Sequence, residues 1–364
     1  MMITIQRGRR KWIAISFAIV VAMASILASA QTTVLPLIGT IGSCTYCAHV
    51  EDAIDAADQS IDILLSDAEL DEKSLWDAIV SAAGRGLRVR VLLDESDWAP
   101  SITEKNRPTI DYLRSHGISA RFDDPALTTH AKLVVLDRRR VILGSSNWNE
   151  HSFYDQEQTD VSIDDPAVGE AFATYFDRLW EGKLFPGAVK LDTDSISADE
   201  PLIVPLPETV DTENYPAVLV KLIATARQSI HVVMYRISHY PQYQDSVTND
   251  ILDALIAASA RGLNVRVYMD DCSFYKSEAE ANLEAARYLS DHGVSVRMDD
   301  PQVTTHAKLV VIDQRTVILG STNWNYYSLA KNNETDIAFI DFPAVAAPYE
   351  AFFERLWRGG RPPG

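Results

Sequence analysis

Apolar and polar positions fall along this chain in blocks, and the blocks come in the same order twice. Ile61–Leu65 and Ile230–Tyr235 are short apolar runs, the pattern of buried strands. Leu75–Ala83 and Ile251–Ala260 carry apolar residues at helical spacing, which predicts amphipathic helices. Each is followed by Arg-Gly-Leu and a second apolar run, Val89–Leu93 or Val265–Met269, that stops at Asp94 or Asp270. A further helix closes at His116-Gly117 or His292-Gly293, where an imidazole suits the helix dipole and Gly takes the left-handed turn. Paired strands follow: Ala131–Leu136 with Val141–Gly144, and Ala307–Ile312 with Val317–Gly320. A last helix carries Trp180 or Trp357 on its apolar face. Strands alternating with helices predict an α/β layer structure.

The two series are a duplication. Asp123–Asn149 and Asp299–Asn325 are identical at 21 of 27 positions, at an offset of 176 residues. Near the starts of the copies, Gln59-Ser60-Ile61 matches Gln228-Ser229-Ile230 at an offset of 169. The second copy therefore holds about seven extra residues, placed around Tyr240-Pro241-Gln242-Tyr243. A period this long is a domain used twice. The expected organisation is a first domain over 31–190, a linker over 191–214 that is rich in proline and acids, and a second domain over 215–364.

Residues 1–30 stand apart. Arg7, Arg9, Arg10 and Lys11 precede an apolar run from Trp12 to Leu27 and an Ala28-Ser29-Ala30 end. This predicts a cleaved signal peptide or, alternatively, an N-terminal anchor helix. Either places the rest of the chain outside the cytoplasm, secreted or held at a membrane. The full chain has a formal charge of −18, and without residues 1–30 it keeps 29 Lys+Arg against 51 Asp+Glu. Such a surface repels polyanions and argues against a nonspecific nuclease. Cys44 and Cys47 are spaced to close a small disulfide in an oxidising compartment, with Cys272 left over. No metal-ligand set is evident, and no cofactor is expected.

The chemistry lies in the duplicated segment. His130 and Lys132 point to the same side of a strand, as do His306 and Lys308. The following strand ends in Gly144-Ser145-Ser146-Asn147 or Gly320-Ser321-Thr322-Asn323, and in a hairpin that end returns beside the histidine. Each copy thus gathers an imidazole, an ammonium, a hydroxyl and an amide. Two such corners brought together make a reaction centre at one phosphorus atom. One histidine attacks, the other protonates the leaving group, and the lysines and asparagines hold the phosphoryl oxygens. Trp148 and Trp324 follow the asparagines and either line the mouth or pack in the core.

With His130-Ala131-Lys132 to Asp137, then Gly144 to Asn147, and the same series from His306 through Lys308 and Asp313 to Asn323, the chain resembles the phospholipase D superfamily. The resemblance spans residues 35–360. It implies two tandem α/β/α sandwich domains related by a pseudo-twofold axis, with one active site between them, so that a monomer suffices. It implies a covalent phosphohistidine resolved by water or an alcohol, with His130 the nucleophile and His306 the acid. His130, Lys132, Asp137, His306, Lys308 and Asp313 then form the catalytic set, although such motif aspartates more often orient a loop. Ser145, Asn147, Ser321 and Asn323 bind or orient phosphate. The family also places a carboxylate downstream to hold each histidine. Glu334 fits in the second copy, and Gln158 occupies that place in the first, with Glu157 beside it. Paired within copies, this leaves His130 less basic than His306 and raises the prospect of exchanged roles. The reading favours a phospholipase D-type phosphodiesterase, working on phospholipid head groups at a membrane surface. A secreted nuclease of the same superfamily is the alternative, and a non-catalytic binding protein is the reading that intact motifs argue against.

Overall fold

The structure is a computed structural model that describes residues 32–97, 99–183 and 191–364. The expected signal or anchor over residues 1–30 lies outside the described residues. Among those described, no helix is long and apolar enough to cross a membrane.

The first half contains strands β1 (Thr33–Gly39), β2 (Ser60–Leu65), β3 (Arg88–Leu93), β4 (Ser119–Phe122), β5 (Lys132–Leu136), β6 (Arg140–Gly144) and β7 (Gln156–Asp164). They lie side by side in the order β1-β7-β6-β5-β2-β3-β4. Helices α1 (Thr45–Asp55), α2 (Lys73–Gly84), α3 (Pro100–Ser115), α4 (Glu150–Tyr154) and α5 (Pro166–Trp180) connect them. The second half repeats the plan with β8 (Leu202–Glu208), β9 (Ser229–Met234), β10 (Asn264–Met269), β11 (Ser295–Met298), β12 (Thr304–Thr305), β13 (Lys308–Ile312), β14 (Thr316–Gly320) and β15 (Glu334–Ile340). Its helices are α6 (Asn214–Thr225), α7 (Val247–Ala260), α8 (Lys276–Asp291), α9 (Tyr326–Ala330) and α10 (Pro343–Gly359). The sheet runs β11-β10-β9-β13-β14-β15-β8, so β8 is the counterpart of β1. This corrects the extent of the linker. Leu202–Glu208 falls inside the stretch expected to be a plain connection, yet it pairs along its full length with β15. Its alternating prolines, Pro205 and Pro207, are compatible with pairing because β8 is an edge strand.

The sheets pack face to face through a shared core. Leu133, Val161 and Phe172 of the first half are buried in one cluster with Leu309, Ile337 and Phe353 of the second. Separate clusters fill the outer faces, one under α1–α3 and one under α6–α8. Trp148 and Trp324 belong to these outer clusters and are fully buried, each donating its indole N–H to a tyrosine hydroxyl, Tyr46 or Tyr215, at 3.0 Å. Core packing is therefore their role. His116 and His292 sit at helix ends as expected, their Nδ1 atoms on the carbonyls of Tyr112 and Tyr288. Cys44 and Cys47 are disulfide-bonded, and Cys272 is buried and free.

The motif aspartates belong to this scaffold. Asp137 and Asp313 take the left-handed conformation (φ 54° and 51°) that Asp tolerates better than most residues. Asp137 Oδ1 accepts from the amides of Gln59 and Ser60 at 2.7 and 2.8 Å, and Oδ2 from that of Asp58 at 2.9 Å. Asp313 repeats the bonds with Arg227, Gln228 and Ser229. Both stand at the end of the strand away from the histidines, so their grouping with the catalytic residues is corrected: they pin the hairpin turn to the start of β2 or β9. Asp313→Ala is expected to lower stability by about 2 kcal/mol, the scale of losing a capping carboxylate. A lower denaturation midpoint with kcat unchanged in the folded protein is the expected result.

Candidate active site

The two His-x-Lys corners open onto the seam between the sheets. β5 and β13 each begin at the motif lysine, and Lys132 and Lys308 are almost wholly buried. Each ammonium donates to the carbonyl of its own motif histidine, Lys132 to His130 at 2.6 Å and Lys308 to His306 at 2.5 Å. That leaves further N–H donors on each for a ligand. Burial pushes Lys132 down to about 8 and depresses Lys308 strongly, the neighbouring Lys132 adding to the effect on Lys308. Two ammonium groups buried beside each other, with lowered proton affinity, suit an anionic guest.

The halves exchange their histidine supports. The amide of His130 donates to the Asn333 carbonyl at 2.9 Å, and that of His306 to the Glu157 carbonyl at 2.9 Å. The two-residue strand β12 lies parallel to the start of β7, although the two come from different halves. Thr129 bridges Asn333 in the same parallel sense, and His130 Nδ1 donates to Glu334 Oε2 at 2.9 Å. His306 Nδ1 instead donates to the Ser145 carbonyl at 3.0 Å, with Gln158 Oε1 at 3.2 Å. This overturns the pairing expected within each copy. The neutral amide serves His306, and the carboxylate serves His130. Glu157 is paired with Arg355.

The electrostatics follow from that exchange. Burial lowers His130, and Glu334 opposes the loss. His306 falls well below its usual range through burial and the charges of Lys308, Lys132 and His130, with no carboxylate to resist. Burial would raise Glu334, but His130 and Lys132 hold it below its ordinary value, as an ionised carboxylate. His130 is thus the more basic histidine, the reverse of the expectation from copy-internal pairing. Both Nδ1 atoms are occupied as donors, which leaves Nε2 as the reacting atom on each ring. Gln158→Glu is expected to raise the pKa of His306 and to move the alkaline limb of the pH–rate profile upward. An unmoved limb contradicts the contact.

The remaining motif residues are orienting groups. Ser321 Oγ donates to Glu334 Oε2 at 2.6 Å, and Ser145 Oγ to Gln158 Oε1 at 2.7 Å. The side-chain oxygens of Asn147 and Asn323 are buried and lack a hydrogen-bond partner, so a polar group of a ligand has unmet capacity to satisfy there. Sequence reading missed Asp160 and Asp336, two residues after Gln158 and Glu334. They accept from the Ser146 and Thr322 hydroxyls at 2.6 and 2.5 Å. They also explain the motif glycines: a Cβ on Gly144 or Gly320 would lie 2.4 or 2.2 Å from an oxygen of Asp160 or Asp336. Asp94 and Asp270 were read only as strand ends. Their carboxylates accept from the amides of Thr129 and Thr305 at 2.6 Å and so fix the residue before each histidine. Burial raises Asp94 to about 8, and Asp123 behind it to about 7. His231 is buried between Glu350, at its Nδ1, and the Arg266 guanidinium, at its Nε2, and Arg266 is paired in turn with Glu354.

Two segments of the chain, residues 50–180 and 219–357, match the family described as cardiolipin synthase, PLD-like domain. The mitochondrial cardiolipin hydrolase of Chlamydomonas reinhardtii is 27% identical over 130 residues, 36% of this chain and 55% of that protein. Phospholipase D Y of Dictyostelium discoideum is 30% identical over 122 residues, 32% of this chain and 27% of that protein. The chain therefore spans about half or less of these curated relatives. Phosphatidylserine synthase of Haemophilus influenzae Rd KW20 superposes with a TM-score of 0.69 over 96% of this chain and 91% of that one. At 14% identity this likeness concerns the fold.

Proposed function

This chain belongs to the phospholipase D superfamily, and we propose that it is a phospholipase D-type phosphodiesterase that removes head groups from phospholipids. The observation that carries this reading is the single buried seam where both His-x-Lys corners meet, one imidazole backed by a carboxylate and the other by neutral acceptors. In the proposed reaction, Nε2 of His130 attacks phosphorus and the N–P bond forms as the P–O bond to the head group breaks. Glu334 stabilises the positive charge that develops on the ring. The departing alkoxide takes the Nε2 proton of His306. Water then gives a proton back to His306 and attacks phosphorus, and the N–P bond breaks to release phosphatidic acid. The bound phosphodiester anion offsets the charges of Lys132 and Lys308, which restores to His306 the proton affinity that the empty site denies it.

The names of the relatives, a cardiolipin hydrolase and a phospholipase D, support a lipid substrate. The acidic chain, −18 overall, supports it further, since a nonspecific nuclease needs a basic track for the backbone. The basic, apolar and small-residue series over 1–30 supports action outside the cytoplasm. The test is a panel of phosphatidylcholine and cardiolipin vesicles, single-stranded DNA and bis-p-nitrophenyl phosphate, with chelator present. Release of head group with phosphatidic acid is the expected result. DNA cleavage without any head-group release would overturn the reading.

A further inference from the structure

The duplication is broken beside the site: Tyr243, Tyr275, Tyr326 and Tyr327 of the second copy have no Phe, Tyr or Trp counterpart in the first, whereas Phe274 answers to Trp98 at the offset of 176. Tyr243, Phe274, Tyr275, Tyr326 and Tyr327, all in the second copy, are between 42% and 67% exposed. Tyr243 lies in the extra loop that the first copy lacks. Tyr326 and Tyr327 stand where the first copy has Glu150 and His151, at the same offset of 176 that relates the catalytic motifs.

Three segments linked to the neighbourhood of His306 carry these rings. The Tyr235 ring meets the His306 ring edge-on at 4.8 Å, and its amide donates to the Ala307 carbonyl. The loop that starts at Tyr235 continues to Tyr240, whose hydroxyl is 3.3 Å from the Tyr326 amide, and to Tyr243, whose amide donates to the Tyr240 carbonyl. Cys272 Sγ contacts the Tyr235 carbonyl, and the Tyr275 amide donates to the Cys272 carbonyl, which fixes the Phe274–Tyr275 turn on the same side. Tyr326 and Tyr327 pack edge to face at 5.5 Å, with the Lys331 ammonium 5.8 Å from the centre of the Tyr326 ring.

We propose that this aromatic rim is a docking surface for a zwitterionic phospholipid bilayer, which seats the mouth of the site against the head groups. The inference rests on the phospholipid reading given above. Two features select this partner. Four of the five rings are tyrosines, with an apolar body and a polar tip, the chemistry that settles at the boundary between head groups and acyl chains. The cations beside the rim are paired, Lys331 with Asp211, Arg236 with Glu278 and, more loosely at 3.8 Å, Lys276 with Glu280. On a chain of net charge −18, that leaves an anionic membrane little to attract and much to repel.

The test labels the full chain, as Tyr327→Cys or as Glu150→Cys, with an environment-sensitive fluorophore and adds phosphatidylcholine vesicles. A blue shift at position 327 and none at position 150 is expected, and replacing a third of the lipid with phosphatidylserine should weaken it. Because residues 1–30 are the same in both variants, the contrast between positions reports which face docks. In parallel, Phe274→Ser/Tyr275→Ser/Tyr327→Ser should lower hydrolysis of vesicle phosphatidylcholine about tenfold, the scale of losing a few partly buried rings. Hydrolysis of monomeric short-chain phosphatidylcholine should stay unchanged. Equal shifts at the two positions, no shift at 327, or a shift at 327 that follows protein concentration in the absence of lipid would overturn the proposal. The last of these would mark a contact between copies. A shift at 327 in a protein that hydrolyses no phospholipid would keep the docking surface and remove the head-group reading instead.

Discussion

Glu334→Gln is expected to lower kcat by a thousandfold or more, while the protein stays folded and binds substrate. The carboxylate is fully buried, 2.9 Å from His130 Nδ1, and also accepts from Ser321. Glutamine keeps the shape and loses the charge. When His130 attacks phosphorus its ring becomes cationic, and a neutral amide leaves that charge without its buried partner. Exchanging the orienting carboxylate of a hydrolytic histidine for an amide costs about ten-thousandfold in a well-studied triad, which sets the scale. The pH dependence gives a second reading. Glu334 opposes the burial that lowers the pKa of His130. Removing it lowers that pKa further, so His130 is neutral to a lower pH and the acidic limb of kcat/KM moves down. Slower turnover with the acidic limb shifted downward is the expected combination. Slower turnover with the limb unmoved would mean that Glu334 holds the fold alone.

His306→Ala is expected to separate substrates by their leaving groups. A head-group alkoxide needs a proton as it departs, and His306 is the group positioned to give it. Loss of general acid catalysis costs between a hundredfold and ten-thousandfold, and about a thousandfold is expected for phosphatidylcholine. A p-nitrophenolate leaves without a proton, so the same variant should lose only about tenfold in the first-turnover burst of p-nitrophenolate from bis-p-nitrophenyl phosphate. His130→Ala should lose both activities, since it removes the attacking atom whatever the leaving group. Equal losses on both substrates for His306→Ala would remove it from the acid role.

The fold was legible because the chain states it twice. Runs such as Ile61–Leu65 and Ile230–Tyr235 are strands in the structure, and their common offset fixed them as counterparts. The His-x-Lys corners were legible because side chains two apart on a strand share a face. The exchange of partners was not, and the reason is physical. Within one copy, Glu334 is the only carboxylate at the right distance after the motif, so local spacing assigns it to His306. The actual partners depend on two short crossings of the seam, the bridge of Thr129 to Asn333 that brings His130 to Glu334 and the two-residue β12 beside β7 that brings His306 to Gln158. No periodicity announces a strand that short, and no local rule ties Thr304 to Gln156. Leu202–Glu208 was missed for a related reason: its prolines read as a connection, and only the place at the sheet edge permits them. Asp160 and Asp336 left a faint signal, since each follows the same Thr, but their task of excluding a Cβ at Gly144 and Gly320 requires the hairpin to be folded first.

The central claim is that one phosphorus atom is handled by two histidines of unequal basicity, with His130 forming the bond. Quenching a reaction with radiolabelled phosphatidylcholine in alkaline denaturant, followed by mass mapping of the labelled peptide under alkaline conditions, tests it most directly. The account predicts a phosphatidyl adduct on His130 in the unaltered protein and none in His130→Ala. An adduct on His306 in the unaltered protein would contradict it.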